Sequence, residues 1–436
     1  MARSPSSPVQ STILVTGGNV LVKAFAFLAT VLMMRGFTPA EFGQIMVMVS
    51  LMSILPVFLD YGSGNSFLKF YPTMKRQGMM DRKAELLGAT LLFRIVMGVI
   101  LFGVGLLIAR PLAELLLKSP DFQPVIVVAL AGGCAGSCLQ FFQVIFQSDE
   151  HFPRLIISQL LDAVLKAAGA AWIVAGMTAA GVFHGVAVYA AAPFLAAVLI
   201  AWVMGRNLPR PRIPDGTLLR RFFGFSSWYM VSAVGFMLFT NFDYLILAAV
   251  RPPEDVGYFA SALRLGTMIY LVVQAINTVL MPYIGRVTEP EAMVLFFRKA
   301  QVRTLLLSLV VLPGVLAGPW LVRWIAGPQY APAVSIYLWV ALDQIAQLVF
   351  TPFMVVLFGL NRPRLLTLYV MLEMVLNIGG DLFVVGTWGP EGVAAVTLAV
   401  RLLVGIIGSL HLYHGIRRRV GFIRSVTSDF STGCDS

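Results

Sequence analysis

The sequence predicts an all-α, polytopic membrane protein of about twelve transmembrane helices, in two pseudo-symmetric six-helix lobes around a central cavity. Composition is the first observation: 58% of the 436 residues are hydrophobic and only 12% are charged, a balance foreign to soluble domains of this length. The second is the recurrence of charge-free runs as long as a membrane crossing, which needs about 20 apolar residues. They cover 42–59, 122–148, 167–205, 222–242, 265–285, 304–322, 324–342 and 344–361. The third is the uneven placement of Lys and Arg.

Taken in order, the spans are expected at 12–34, 42–61, 86–109, 124–147, 155–176, 181–204, 225–249, 256–284, 300–325, 333–359, 364–386 and 392–414. The first follows a short polar start and is long enough to remain as a helix, so no cleavable leader is expected. The second and eighth each start behind a Pro-containing turn with an acid in the first helical turn, Glu41 and Glu254, where it suits the helix dipole. The fifth and sixth are separate because 167–205 is too long for one crossing, and Gly176 and Gly181 supply the break. Residues 205–221, GRNLPRPRIPDGTLLRR, are Pro-rich and basic. They divide the chain into lobes 1–204 and 222–414, followed by a tail over 415–436.

With the N-terminus inside, 22 of the 32 Lys and Arg fall in cytoplasmic segments and five on the opposite side, as the positive-inside rule requires. Twelve spans place both termini in the cytoplasm. The net charge of +11 is thus mainly a topology signal. Nucleic-acid binding is excluded, because the basic residues are scattered over separate loops without a domain to form a groove.

Enzyme chemistry has no footing. His151, His184, His411 and His414 lack metal-ligand spacing, no nucleotide-binding loop is present, and no catalytic residue, metal or cofactor is expected. Cys134 and Cys138 sit among Gly132, Gly133, Ala135, Gly136 and Ser137, a pattern of close helix packing; neither they nor Cys434 suggest a disulfide.

The chemistry resides in five cations within the spans: Lys23, Arg94, Lys166, Arg264 and Arg401. Each costs about 2.5–3.5 kcal/mol at mid-span, so each needs an internal acid or an anionic ligand. Asp162 lies one turn before Lys166, and Glu373 and Asp381 on the preceding span offer partners for Arg401. Lys23, Arg94 and Arg264 lack an obvious partner on their own helix and are the sharper candidates for a cationic substrate site. Replacing Arg94 or Arg264 with Ala is expected to abolish function at unchanged protein abundance. Asp162, Asp243, Glu373 and Asp381 are the candidate ion-coupling residues; Glu373, Asn377 and Asp381 share one helix face. That row reads either as a relay or as a structural partner for Arg401.

A repeated turn links the halves: RGFTPAEFG, with Arg35, Pro39, Glu41 and Gly43, and RPPEDVG, with Arg251, Pro253, Glu254 and Gly257. Two halves of similar design suggest a transporter. Here the chain resembles a known family. RGFTPAEFGQIMVMVSLMSILPVFLDYGSGNSFLKFYP, then LLRRFFGFSSWYM, Asn241-Phe242-Asp243, EDVGYFASALRL and VLNIGGDLFVVGTWGPEGVAAVTLAVRL are similar to segments of polysaccharide transporters. The likeness runs from about residue 12 to 415. It points to the O-antigen-type flippase branch of the multidrug, oligosaccharidyl-lipid and polysaccharide exporter superfamily. The resemblance implies a flippase moving polyprenyl-pyrophosphate-linked oligosaccharide across a bacterial inner membrane for surface polysaccharide or lipopolysaccharide. It implies as partners that lipid-linked substrate, membrane lipids and other polysaccharide assembly proteins. A cation-coupled multidrug exporter, a lipid II flippase, and a membrane polymerase or ligase are the alternatives.

Overall fold

The computed structural model describes residues 8–76, 80–176, 181–204, 216–284, 290–359 and 363–432. Among these residues the fold is helical and contains no strand. The helices are α1 (Pro8–Gly36), α2 (Pro39–Asp60), α3 (Ser63–Arg76), α4 (Met80–Leu117), α5 (Gln123–Ser148), α6 (Phe152–Gly176), α7 (Val182–Met204) and α8 (Gly216–Val250). They continue as α9 (Pro253–Ile284), α10 (Pro290–Leu316), α11 (Gly318–Ile325), α12 (Ala333–Gly359) and α13 (Pro363–Thr432).

Ten of the described helical segments are long and apolar enough to cross a membrane. One of them, within α13, runs for 48 residues and contains Gly389, whose φ of 60° and ψ of −145° break the helix in two. Glycine alone adopts that region without penalty, and Pro390 follows it, so α13 supplies two crossings. Helix α9 adds another, with Arg264 the only charge after its first turn. The all-α polytopic architecture of about twelve spans therefore stands. Its apolar residues face outward as lipid contact requires: Val99, Leu107, Trp202, Val310 and Phe383 are all exposed.

One expected span is divided. Residues 300–325 form the end of α10 and the separate short helix α11, with the break at Ala317. Pro313 within α10 and Pro319 at the start of α11 each lack a backbone donor. Between the second and third spans, where no crossing is expected, α3 forms an amphipathic helix. Its Phe67, Tyr71 and Met74 pack on Leu86, Leu87 and Ile145. The Tyr71 hydroxyl donates to Asp149; burial, reinforced by that carboxylate, holds the phenol well above its ordinary range. Tyr71→Phe is expected to destabilise the protein by about 1.5–3 kcal/mol, the worth of a hydrogen bond to a charged group. Thermal unfolding in detergent measures it.

The chain forms two compact units, Met1–Gly257 and Tyr258–Ser436. Within the first, α1 packs along α6, while α5 lies against α2, α4 and α7. Small residues permit this approach: a Cβ on Gly132 would come within 2.8 Å of the Ala190 methyl. Helix α8 packs on α2, α3 and α4, tied by Ser50 Oγ donating to Asn241 Oδ1 at 2.7 Å and by the Ser66 and Ser226 hydroxyls at 2.6 Å. Within the second unit, α12 packs against α10, α11 and α13. Of the expected linker 205–221, residues 205–215 lie outside the described residues, as does Cys434; the expected tail continues α13 as far as Thr432.

Both copies of the repeated turn lie in the first unit and pack on each other. Thr38 caps α2 in a capping box with Glu41, and Arg251 Nε binds Asp255 at 2.8 Å at the start of α9. Gly43 then faces the Pro253 carbonyl, and Gly257 faces that of Pro39.

Candidate functional site

Three groupings hold most of the internal charges, each within one unit. In the first unit, a cavity of about 370 Å³ opens between α2, α5, α6 and α7. Asp162 and Lys166 form its charged wall, and Lys166 Nζ lies 2.7 Å from Asp162 Oδ2. Both project from mid-α6 because a spacing of four places them on one face. The Lys166 ammonium also stands 6.0 Å from the centre of the Tyr189 ring, within cation–π range. Asp162 Oδ1 is buried without a hydrogen-bond partner. The side chains of Gln140 and Gln143, from successive turns of α5, face the same space.

The second grouping surrounds Arg94. Its guanidinium is buried and donates to Asp60 through Nη2 and to the Ser137 carbonyl and hydroxyl through Nη1, at 2.7 and 3.0 Å. Asp60 also accepts from Ser63 Oγ at 2.9 Å and from the Gly64 N–H at 3.1 Å. Tyr61 and Gly62 place that network directly after α2: both have positive φ, 50° and 69°, and turn the chain so that α3 begins beside the carboxylate. The adjoining space is about 10 Å³, room for about one water. Arg94 is thus engaged by an acid from another helix, although no acid on α4 is available to it.

In the second unit, Arg401 bonds Asp343 through Nε and Glu373 through Nη1, the latter at 3.1 Å. Gln344 Nε2 donates to Asp343 Oδ2 at 3.0 Å. A cavity of about 100 Å³ adjoins Glu373 and Arg401. One turn on from Glu373, Asn377 Nδ2 donates to Thr397 Oγ1 at 3.1 Å across the Gly389 break. Glu373, Asn377 and Asp381 are all buried, as one shared face requires. The pairing of Arg401 with Glu373 is the structural alternative for that row.

Arg264 stands apart. It is half-buried on α9, its Nε is buried without a hydrogen-bond partner, and no ion pair to it occurs among the described residues. Lys23 is exposed on α1, and Asp243 is half-buried on α8; both make contacts. Cys134 and Cys138 are free thiols. Among the described residues no cluster of His, Cys, Asp and Glu has the makings of a metal site.

Sequence reasoning missed Asp60 as the partner of Arg94 and Tyr189 as a wall of the first cavity. Asp60 carries a signal, since it closes α2 and sits beside the Tyr61-Gly62 turn. A lone Tyr in an apolar helix carries none.

The fold is similar to that of solved membrane transporters. An inward-facing multidrug resistance MATE family transporter of the MOP superfamily aligns with a TM-score of 0.70 at 15% identity, over 92% of this chain and 96% of that one. Lipid II flippase MurJ in an inward closed conformation aligns with a TM-score of 0.62 at 13% identity, over 93% and 87%. A MOP superfamily transporter from Pyrococcus furiosus, described as having a binding pocket of reversed polarity, gives 0.62 at 14% identity, over 95% and 96%. No curated protein sequence matches the chain. The sequence pattern of polysaccharide biosynthesis proteins, by contrast, matches residues 9–288, well over half of the chain. The protein belongs to the polysaccharide biosynthesis protein family and has the fold of the multidrug, oligosaccharidyl-lipid and polysaccharide exporters.

Proposed function

We propose that the protein is a flippase carrying polyprenyl-pyrophosphate-linked oligosaccharide across the bacterial inner membrane by alternating access, for surface polysaccharide or O-antigen-type lipopolysaccharide synthesis. The observation that carries the reading is membership of a polysaccharide biosynthesis family by a chain with an exporter fold. A polysaccharide assembled on a membrane lipid must change sides, and a polytopic bundle has the means to move it. The carrier lipid stays in the bilayer while its head group crosses, alongside other polysaccharide assembly proteins. Both termini are assigned to the cytoplasm.

A pyrophosphate leaving water needs fixed cations in place of hydration. Arg264 is best suited, because a guanidinium with a buried unpaired N–H has donors to spare and binds phosphate in a forked geometry. Lys23 is the second contact. Arg94 acts through its network with Asp60 and Ser137, and Lys166 and Arg401 through their acids. Ion coupling is assigned to Asp162, Asp243, Glu373 and Asp381, each buried or half-buried within a span.

Depleting the protein is expected to trap lipid-linked oligosaccharide on the cytoplasmic face, measured in lipid extracts from sided membrane vesicles. Arg264→Ala should cut transport at least tenfold with abundance unchanged, and Arg264→Lys should recover part of it. Export at the wild-type rate in Arg264→Ala would remove the cation from the mechanism. Accumulation of a lipophilic drug instead of a glycolipid would identify a multidrug exporter.

A further inference from the structure

We propose that the cavity between α2, α5, α6 and α7 is a subsite for the glycan of the substrate, separate in chemistry from the cations that meet its pyrophosphate. The inference rests on the flippase reading and names what this cavity contributes to it.

Charge is the first argument. Lys166 is held by Asp162 at 2.7 Å, so the pair adds no net charge to the wall. A pyrophosphate gains little from a lysine already neutralised, and a lipophilic cation meets an ammonium beside the one carboxylate. A neutral, hydroxyl-rich ligand suffers from neither.

Hydrogen-bonding capacity is the second. Asp162 Oδ1 is a buried acceptor without a donor, a state that costs about 1–3 kcal/mol or more when left unmade. Gln140 and Gln143 each bring one carbonyl and one NH₂ group to the cavity, so the walls both accept and donate, as sugar hydroxyls do. Two prolines extend this inventory. Pro56 lies within α2 and Pro193 within α7, and both line the cavity. Proline has no N–H to bond the carbonyl four residues earlier. Those residues are Met52 and Tyr189, which line the same cavity. The helix ladders of α2 and α7 thus each lack an N–H donor beside this cavity, so a polar ligand there faces backbone as well as side-chain polarity.

Shape is the third. The Tyr189 ring offers an aromatic face next to Lys166, on which the C–H face of a pyranose packs. The volume of about 370 Å³ falls at the lower end of ligand pockets, roughly 300–1,000 Å³. That suits a small part of a glycan rather than the whole. The mid-span position on α6 places this contact where the head group has left water.

The test uses the full-length protein in nanodiscs. Two probes are compared by native mass spectrometry: the lipid-linked oligosaccharide extracted from cells depleted of the protein, and the corresponding polyprenyl pyrophosphate without a glycan. The glycan is expected to raise affinity at least tenfold in the wild type. Tyr189→Leu, Gln140→Leu and Gln143→Leu, made singly, should each lose fivefold or more for the glycosylated lipid while binding the glycan-free lipid as before. Arg264→Ala should weaken both.

Unchanged discrimination in all three cavity variants would overturn the subsite while leaving the flippase reading intact. Equal loss for both probes in all three would assign the residues to folding and overturn it too. Tetraphenylphosphonium binding that disappears in Asp162→Asn would make the cavity a cation site instead. If depleted cells accumulate no lipid-linked oligosaccharide, the flippase reading itself fails and the subsite falls with it.

Discussion

Arg94→Ala is expected to destabilise the folded protein by about 3–5 kcal/mol, the cost of removing one partner from a buried ion pair. The substitution leaves the Asp60 carboxylate buried with only the Ser63 hydroxyl and the Gly64 N–H as donors. It also frees the Ser137 carbonyl and hydroxyl that Nη1 now binds. Asp60→Leu combined with Arg94→Met should recover much of the loss, since an apolar pair of similar volume is often neutral or better than a buried ion pair. Thermal unfolding of the two variants and the wild type in detergent, with abundance in membranes, measures this. A single Arg94→Ala variant as stable as the wild type would return the residue to the substrate site. The expectation of export lost at unchanged abundance therefore passes to Arg264, whose guanidinium has no ion pair among the described residues. At Arg94, lost export and lost folding arrive together.

Gly257→Ala is expected to be the most damaging of the single-methyl changes. Its Cβ would lie 1.9 Å from the Pro39 carbonyl oxygen and 2.7 Å from the carbonyl carbon. On the other side of the contact, a Cβ on Gly43 would lie 2.3 Å from the Pro253 oxygen and 2.6 Å from the Gly257 nitrogen. Every one of these obstacles is backbone at the first turn of a helix, so no side-chain rotation relieves them. Overpacking costs about 1–3 kcal/mol where side chains are able to yield, and this contact should reach or exceed the upper end. Gly103→Ala is the control, because nothing lies within 4 Å of its Cβ. That change should be neutral or stabilise α4 by about 0.5–1 kcal/mol, as alanine does inside helices. A Gly257→Ala protein with wild-type melting temperature and transport would show that the two turns separate freely.

Much of the fold is legible in the sequence because the bilayer imposes it. Each span must satisfy its own backbone hydrogen bonds, so helix follows from apolar length alone. Gly389-Pro390 likewise announces the break inside α13, and Pro39 and Pro253 announce two helix starts. The division of 300–325 at Ala317 is less visible, since the residues on both sides are apolar and hydropathy passes through the break without a change. Only Pro313 and Pro319 record it. The first cavity was half legible: the spacing of Asp162 and Lys166 pairs them on α6, but Tyr189 comes from another helix.

The sequence by itself determined the class of protein, the approximate number and order of its spans, the repeated turn and the identity of the five internal cations. These depend on local quantities: hydrophobic length, proline and glycine positions, and charge against an apolar background. The tertiary structure alone decided which cations are occupied. Arg94 meets Asp60 and Arg401 meets Asp343 across 34 and 58 residues of chain, and the two turns meet through Gly43 and Gly257. Such pairings depend on which helix faces which, and a helix reports its own faces but not its neighbours. The five cations look alike in the sequence because each stands against an apolar background, and they differ in the fold because exposure and cross-helix partners depend on which helices pack together.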